Sequence, residues 1–151
     1  MIMKTIQKKQ FNCIISTFLF VFMGIVCAYS QSYHPSQLTD KKWVGRIPQK
    51  SYYGTKIFTD KIIIEKYFIY GGETADAEAE FPYYLADRIV DTFQNDLVGK
   101  GECGKYIVEL RKPKSGEEFI SIFEILELTD TTLKIKSLRN KSANAVEYKV
   151  E

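Results

Sequence analysis

Between Trp43 and Val150 the apolar residues recur mostly with the two-residue period of β-strands, in short runs separated by turn residues. Trp43, Gly45 and Ile47 alternate with Lys42, Val44 and Arg46, and Pro48 ends the run because proline has no backbone N–H to give a ladder. Lys56 to Phe58, Lys61 to Glu65 and Lys66 to Tyr70 are β-branched and aromatic, with Thr59-Asp60 and Gly71-Gly72 as punctuation, and predict two or three strands. Phe81 to Leu85 and Tyr106 to Leu110 are of the same kind, the second leading into the turn sequence Lys112-Pro113-Lys114-Ser115-Gly116. Glu118 to Leu128, a turn at Thr129-Asp130-Thr131-Thr132, and Leu133 to Leu138 form a hairpin; its second arm sets Leu133 and Ile135 against Lys134 and Lys136. Val146, Tyr148 and Val150 alternate with Glu147, Lys149 and Glu151 in a last strand. Only Leu85, Ile89, Val90 and Phe93 recur at roughly helical spacing, which admits one short helix around 85–93. The fold class is therefore all-β: a small antiparallel β-barrel of about eight or nine short strands, since closure hides strand edges.

The first thirty residues follow another pattern. Lys4, Lys8 and Lys9 precede an apolar run from Phe11 to Ala28, no acidic residue occurs before Asp40, and Ala28-Tyr29-Ser30 has the small-x-small form that a signal peptidase accepts. Residues 1–30 thus read as a cleavable signal peptide, with cleavage before Gln31 and a periplasmic or secreted product. A retained membrane anchor is the weaker alternative, because the run is short of a span and holds Asn12, Ser16 and Thr17. Lipid attachment at Cys27 is also weaker, because Val26 stands where a small residue is wanted. Residues 31–42 are polar, contain Pro35, and read as a flexible lead-in to a barrel domain over 43–151.

Removing the leader changes the charge reading. Its three lysines leave 18 basic residues against 19 acidic ones, with no basic cluster able to neutralise phosphates, so nucleic acid is excluded as a partner. Cys13 and Cys27 leave too, so Cys103 is expected to stand alone, without an internal disulfide. His34 is the only histidine and lies in the lead-in, which removes histidine-based nucleophilic catalysis and histidine metal sites. No catalytic residue, metal ligand or cofactor site is assigned, and the chain is read as not an enzyme.

Two motifs have simpler readings than their patterns suggest. Gly99-Lys100-Gly101-Glu102-Cys103-Gly104 has the spacing of a dinucleotide fingerprint, but a β-like run follows where that fingerprint requires a helix; the glycines read as a loop needing positive φ. Glu73, Asp76, Glu78 and Glu80 read as a solvated hairpin loop, since their spacing is not that of a calcium loop.

Aromatic residues are frequent, and most must pack in the core or as cross-strand pairs. Tyr67, Tyr70, Tyr83, Tyr106, Phe119 and Phe123 are the candidates for lining a ligand cavity. Trp43, the first large apolar residue after a polar lead-in, is the candidate plug at the closed end. With Trp43, the segments Tyr83-Tyr84-Leu85-Ala86-Asp87, Gly104-Lys105-Tyr106-Ile107-Val108, and Ile125 to Asp130 with Leu133-Lys134-Ile135 resemble the small lipocalin-like, calycin-type domains of exported bacterial proteins. One departure is Lys41, where the lipocalin signature has a glycine; here Gly45 follows the tryptophan instead. The resemblance implies a barrel that binds a small apolar or amphipathic molecule. The alternative is an envelope-associated or inhibitor-like domain with a filled core that binds a protein partner by its surface.

Overall fold

The computed structural model describes residues 32–46, 52–69, 74–113, 116–140 and 142–151, and Tyr33–Glu151 form one unit. Eight antiparallel strands follow in chain order: β1 (Lys42–Arg46), β2 (Tyr52–Phe58), β3 (Ile62–Ile69), β4 (Ala77–Ala86), β5 (Tyr106–Arg111), β6 (Phe119–Leu128), β7 (Thr132–Ser137) and β8 (Val146–Val150). Each pairs with its neighbours in sequence, and β8 returns to β1 through Trp43↔Val150 and Gly45↔Tyr148, so the sheet closes into a barrel. The two runs expected on either side of Glu65 form one strand over Ile62–Ile69, because Lys66 continues the ladder without a break and pairs with Thr55 and Glu78.

Because side chains alternate across a strand, the register fixes which residues enter the barrel. Trp43, Phe58, Ile63, Tyr83, Leu85, Ile107, Ile125, Leu133, Ile135 and Tyr148 point inward and form the main core with Leu38. At one end this packing is complete: Trp43 is fully buried and its indole N–H donates to the Leu38 carbonyl at 2.9 Å. Leu38 itself is fully buried, held by the 3₁₀ turn Pro35–Gln37, and Tyr33 pairs with Gly104 through two 2.9 Å backbone bonds. The polar lead-in is thus built into the closed end, where one apolar residue caps the core; the sequence expectation had placed the start of packing at Trp43.

The helix expected around 85–93 does not form. Leu85 and Ala86 complete β4, residues 87–93 are bends and irregular chain, and a 3₁₀ turn follows at Asn95–Leu97. The apolar residues at that spacing serve a different surface: Val90, Phe93, Leu97 and Val98 fold back on Tyr84, Ala86 and Val108 on the outside of the wall. Gly99 and Gly101 adopt φ of 75° and 72° in this connection, the left-handed region that glycine enters without a Cβ clash, and a strand follows them. Cys103 is disulfide-bonded, which corrects the expectation that it stands alone. The acidic run is also reassigned in part. Glu78 and Glu80 lie within β4, where Glu78 pairs with Lys66 at 3.1 Å, while Asp76 accepts the Ile69 N–H at 2.8 Å and sets the turn before the strand.

Candidate functional site

The closed end is apolar, but the middle of the barrel is not. Four charged side chains enter it from three strands: Lys56 from β2, Glu65 from β3, and Glu109 and Arg111 from β5. The ladder brings them together, since Lys56 is the register partner of Glu65 and Glu109 and Arg111 share one face of β5. Lys56 donates to Glu65 Oε1 and lies 3.5 Å from Glu109 Oε1. Arg111 grips Glu109 Oε2 with Nε at 2.7 Å and Nη2 at 2.5 Å, and Nη2 also reaches Glu65 Oε1 at 2.8 Å. Tyr67 donates its hydroxyl to Glu65 Oε2 at 2.7 Å.

Two cations and two carboxylates are thereby locked in one network. Burial is nearly total for three of them: side-chain exposures are 5% for Lys56, 2% for Glu65 and 1% for Glu109, against 20% for Arg111. Taking such charges out of water costs several kcal/mol each, so they hold only because each faces an opposite charge at hydrogen-bonding range. Burial pulls the Lys56 ammonium below the ordinary lysine value; the charge of Glu109 draws it back up, and Arg111 pushes it down again. Burial likewise raises the Tyr148 phenol, with Tyr67 and Glu109 adding to the effect and Arg111 opposing it. The Tyr148 ring lies against Gly45 on the neighbouring strand, where a Cβ would stand 2.6 Å from the ring.

Arg111 is the one member that solvent reaches, and aromatic rings flank it. Its guanidinium carbon is 4.3 Å from the centroid of Phe81 and 5.6 Å from that of Phe123, and the Lys56 Nζ is 5.3 Å from the Phe123 ring. Ala79 and Ser121 stand level with the network as the register partners of Glu65 and Glu109, and toward the end where β1–β2, β3–β4, β5–β6 and β7–β8 are joined the inner face carries Gly54 and Ala77 beside Tyr67. Tyr67, Phe81, Phe119 and Phe123 are only partly buried, although they point inward. The inward side chains of this half are partly exposed where those of the other half are buried.

Of the proposed lining residues, the structure brings Tyr67 and Phe123 to the charged network. Phe119 stands nearer the rim, with the Arg139 guanidinium 4.1 Å from its ring. Tyr83 is part of the closed-end core, T-shaped against Phe58 with its hydroxyl on the Thr59 carbonyl at 2.7 Å, and so lines no opening. Burial raises its phenol as well. Tyr106 lies on the outer face of β5 with Val108, because its register partner Ala86 faces outward. Tyr70 lies outside the described residues. The four network residues escaped the sequence reading, since lysine, glutamate and arginine on alternating strands read as the solvated face. The signal was present in β5: Tyr106, Val108 and Leu110 make one face apolar, so Glu109 and Arg111 on the other share theirs with Ile107, a core residue.

Among the described residues no group of His, Cys, Asp and Glu is arranged to hold a metal ion, and no helix is long and apolar enough to cross a membrane. The chain is an all-β closed barrel by its own geometry, and no family model, curated protein or solved structure matches it.

Proposed function

We propose that this chain is an exported binding module that takes a small amphipathic molecule in the open half of its barrel, holding it without chemical turnover. The observation that carries this reading is the split interior: a completely packed closed end, a fixed polar floor, and above it inward-pointing aromatics that solvent still reaches. Ligand pockets combine apolar walls with a few fixed polar groups in this way, and a barrel of eight strands can hold one small ligand. Burying four charges does nothing for packing that apolar side chains would not do better, which favours a functional reason for the floor. Lys56 and Arg111 neutralise both carboxylates, and Glu109 Oε1 is the one buried carboxylate oxygen of the network without a hydrogen bond to a described residue.

The nearest-neighbour order of the strands and the buried tryptophan on β1 agree with the lipocalin-like resemblance. Export rests on the leader pattern ending at Ala28-Tyr29-Ser30, and a periplasmic or secreted location follows from it. The test is titration of the purified protein with N-phenyl-1-naphthylamine, a neutral apolar fluorophore. Saturable one-to-one enhancement that Phe123→Asp abolishes is the expected result. Absence of saturation would favour the filled barrel that works by its surface.

A further inference from the structure

Of the network, one group faces the open half. Arg111 is 20% exposed while the remaining three side chains are at 5% or less, so a polar end that reaches the floor meets its guanidinium there. Its Nε and Nη2 are spent on Glu109 and Glu65, whereas Nη1 makes no hydrogen bond to any described residue. Guanidinium carries five N–H donors and no acceptor, so two donors remain available at the floor of the opening. The contents must therefore present a hydrogen-bond acceptor.

Charge narrows the class further. Lys56 and Arg111 are balanced by Glu65 and Glu109, with no spare positive charge in the network. An entering carboxylate would sit beside two buried carboxylates whose cations are already engaged, and would surrender its hydration for an uncompensated site. Lowering of the Lys56 pKa works in the same direction, since any loss of its proton would leave the network negative. A cationic head fares no better, because it would face Arg111 directly. A neutral carbonyl asks only for the two donors.

We propose that the ligand is a neutral amphiphile whose polar end is a carbonyl-type acceptor, such as an amide or ester, received by Arg111 Nη1 with its apolar body along Phe81, Phe119 and Phe123. This rests on the binding-module reading above and deepens it. Three probes of equal chain length separate the head groups: decanamide, decanoate and decylammonium, titrated calorimetrically at pH 8. Decanamide is expected to bind about tenfold or more tighter than decanoate, with no saturation by decylammonium. Glu109→Gln removes one anion without changing shape, leaves the network with an unspent positive charge, and is expected to invert the order so that decanoate binds best. Tightest binding of decanoate or decylammonium to the parent protein would overturn the head-group assignment while leaving the binding module standing, and an unchanged order in a folded Glu109→Gln protein would overturn it too. If that variant does not fold, the parent ranking alone decides. Saturation by none of the three would remove the binding module itself, and this inference with it.

Discussion

Replacing Lys56 with methionine tests the internal network most directly. The substitution keeps the stem of the side chain and deletes only the ammonium, so packing against Phe123 changes little. What remains is a single guanidinium facing two carboxylates that are 2% and 1% exposed. An uncompensated buried charge costs about 3–5 kcal/mol, a large part of the roughly 5–15 kcal/mol that holds a domain of this size together. The compensating change is Glu65→Leu. In the double variant Arg111 and Glu109 remain as a balanced pair bound through two nitrogens, so Lys56→Met with Glu65→Leu is expected to be more stable than Lys56→Met alone. Urea unfolding followed by the fluorescence of Trp43, the lone tryptophan and a fully buried one, reads both. With a slope of about 1–2 kcal/mol per molar, the single change should lower the midpoint by roughly 1.5–5 M. A single loss below about 1 kcal/mol, or two losses that simply add, would mean the charges are hydrated and uncoupled, and the reasoning about a dry polar floor would fail.

Trp43→Ala should cost about 3–5 kcal/mol by chemical denaturation, while Trp43→Phe should cost less, losing chiefly the bond to the Leu38 carbonyl. Gly45→Ala should destabilise by about 1–3 kcal/mol, because its Cβ would stand 2.6 Å from the Tyr148 ring, and calorimetric melting would show this as a lower Tm. Stability should fall as pH rises above 10: Tyr83 and Tyr148 have phenol pKa values raised above the ordinary 10.0, so the unfolded chain loses those protons first and gains relative to the fold. Lys56 acts oppositely, adding stability up to the ordinary lysine value of 10.5, so the fall should be steepest beyond that point and shallower in Tyr148→Phe. Intact mass of protein isolated after export should place the first residue at Gln31; a lipid-modified Cys27 or an uncleaved leader would contradict the reading of Ala28-Tyr29-Ser30.

The strands were legible because a closed sheet repeats one simple rule. β8 was read at Val146 to Val150, and β7 at Leu133 to Leu138 against the observed Thr132–Ser137, since one face of each is plainly apolar. Ambiguity arose where both faces are mixed. In β3, Ile62, Ile64 and Phe68 compete with Ile63, Glu65 and Tyr67 for the interior, and only pairing with β2 and β4 shows that the set containing a glutamate enters. The network could not be read as a unit because its members are spread over 56 positions of the sequence, from Lys56 to Arg111, and meet only after four strands, β2 to β5, are in register. The mistaken helix has a related cause. Leu85, Val90 and Phe93 are apolar because two different surfaces need covering, the barrel interior and the outer wall at Val108, and their spacing came from that division.

The pairing of β1 with β8 has a consequence for how and when the barrel forms. It joins residues 42–46 to residues 146–150, so the ring cannot close until all the intervening strands exist. Contacts of that span cost loop-closure entropy before they return any stabilisation, which places this fold among the slower ones for its size. A chain emerging from the ribosome therefore remains an open ribbon with two exposed edges until residue 150 is free. Under the export proposed above, that delay would keep the polypeptide threadable through a narrow channel, with the last strand as a latch set on the far side.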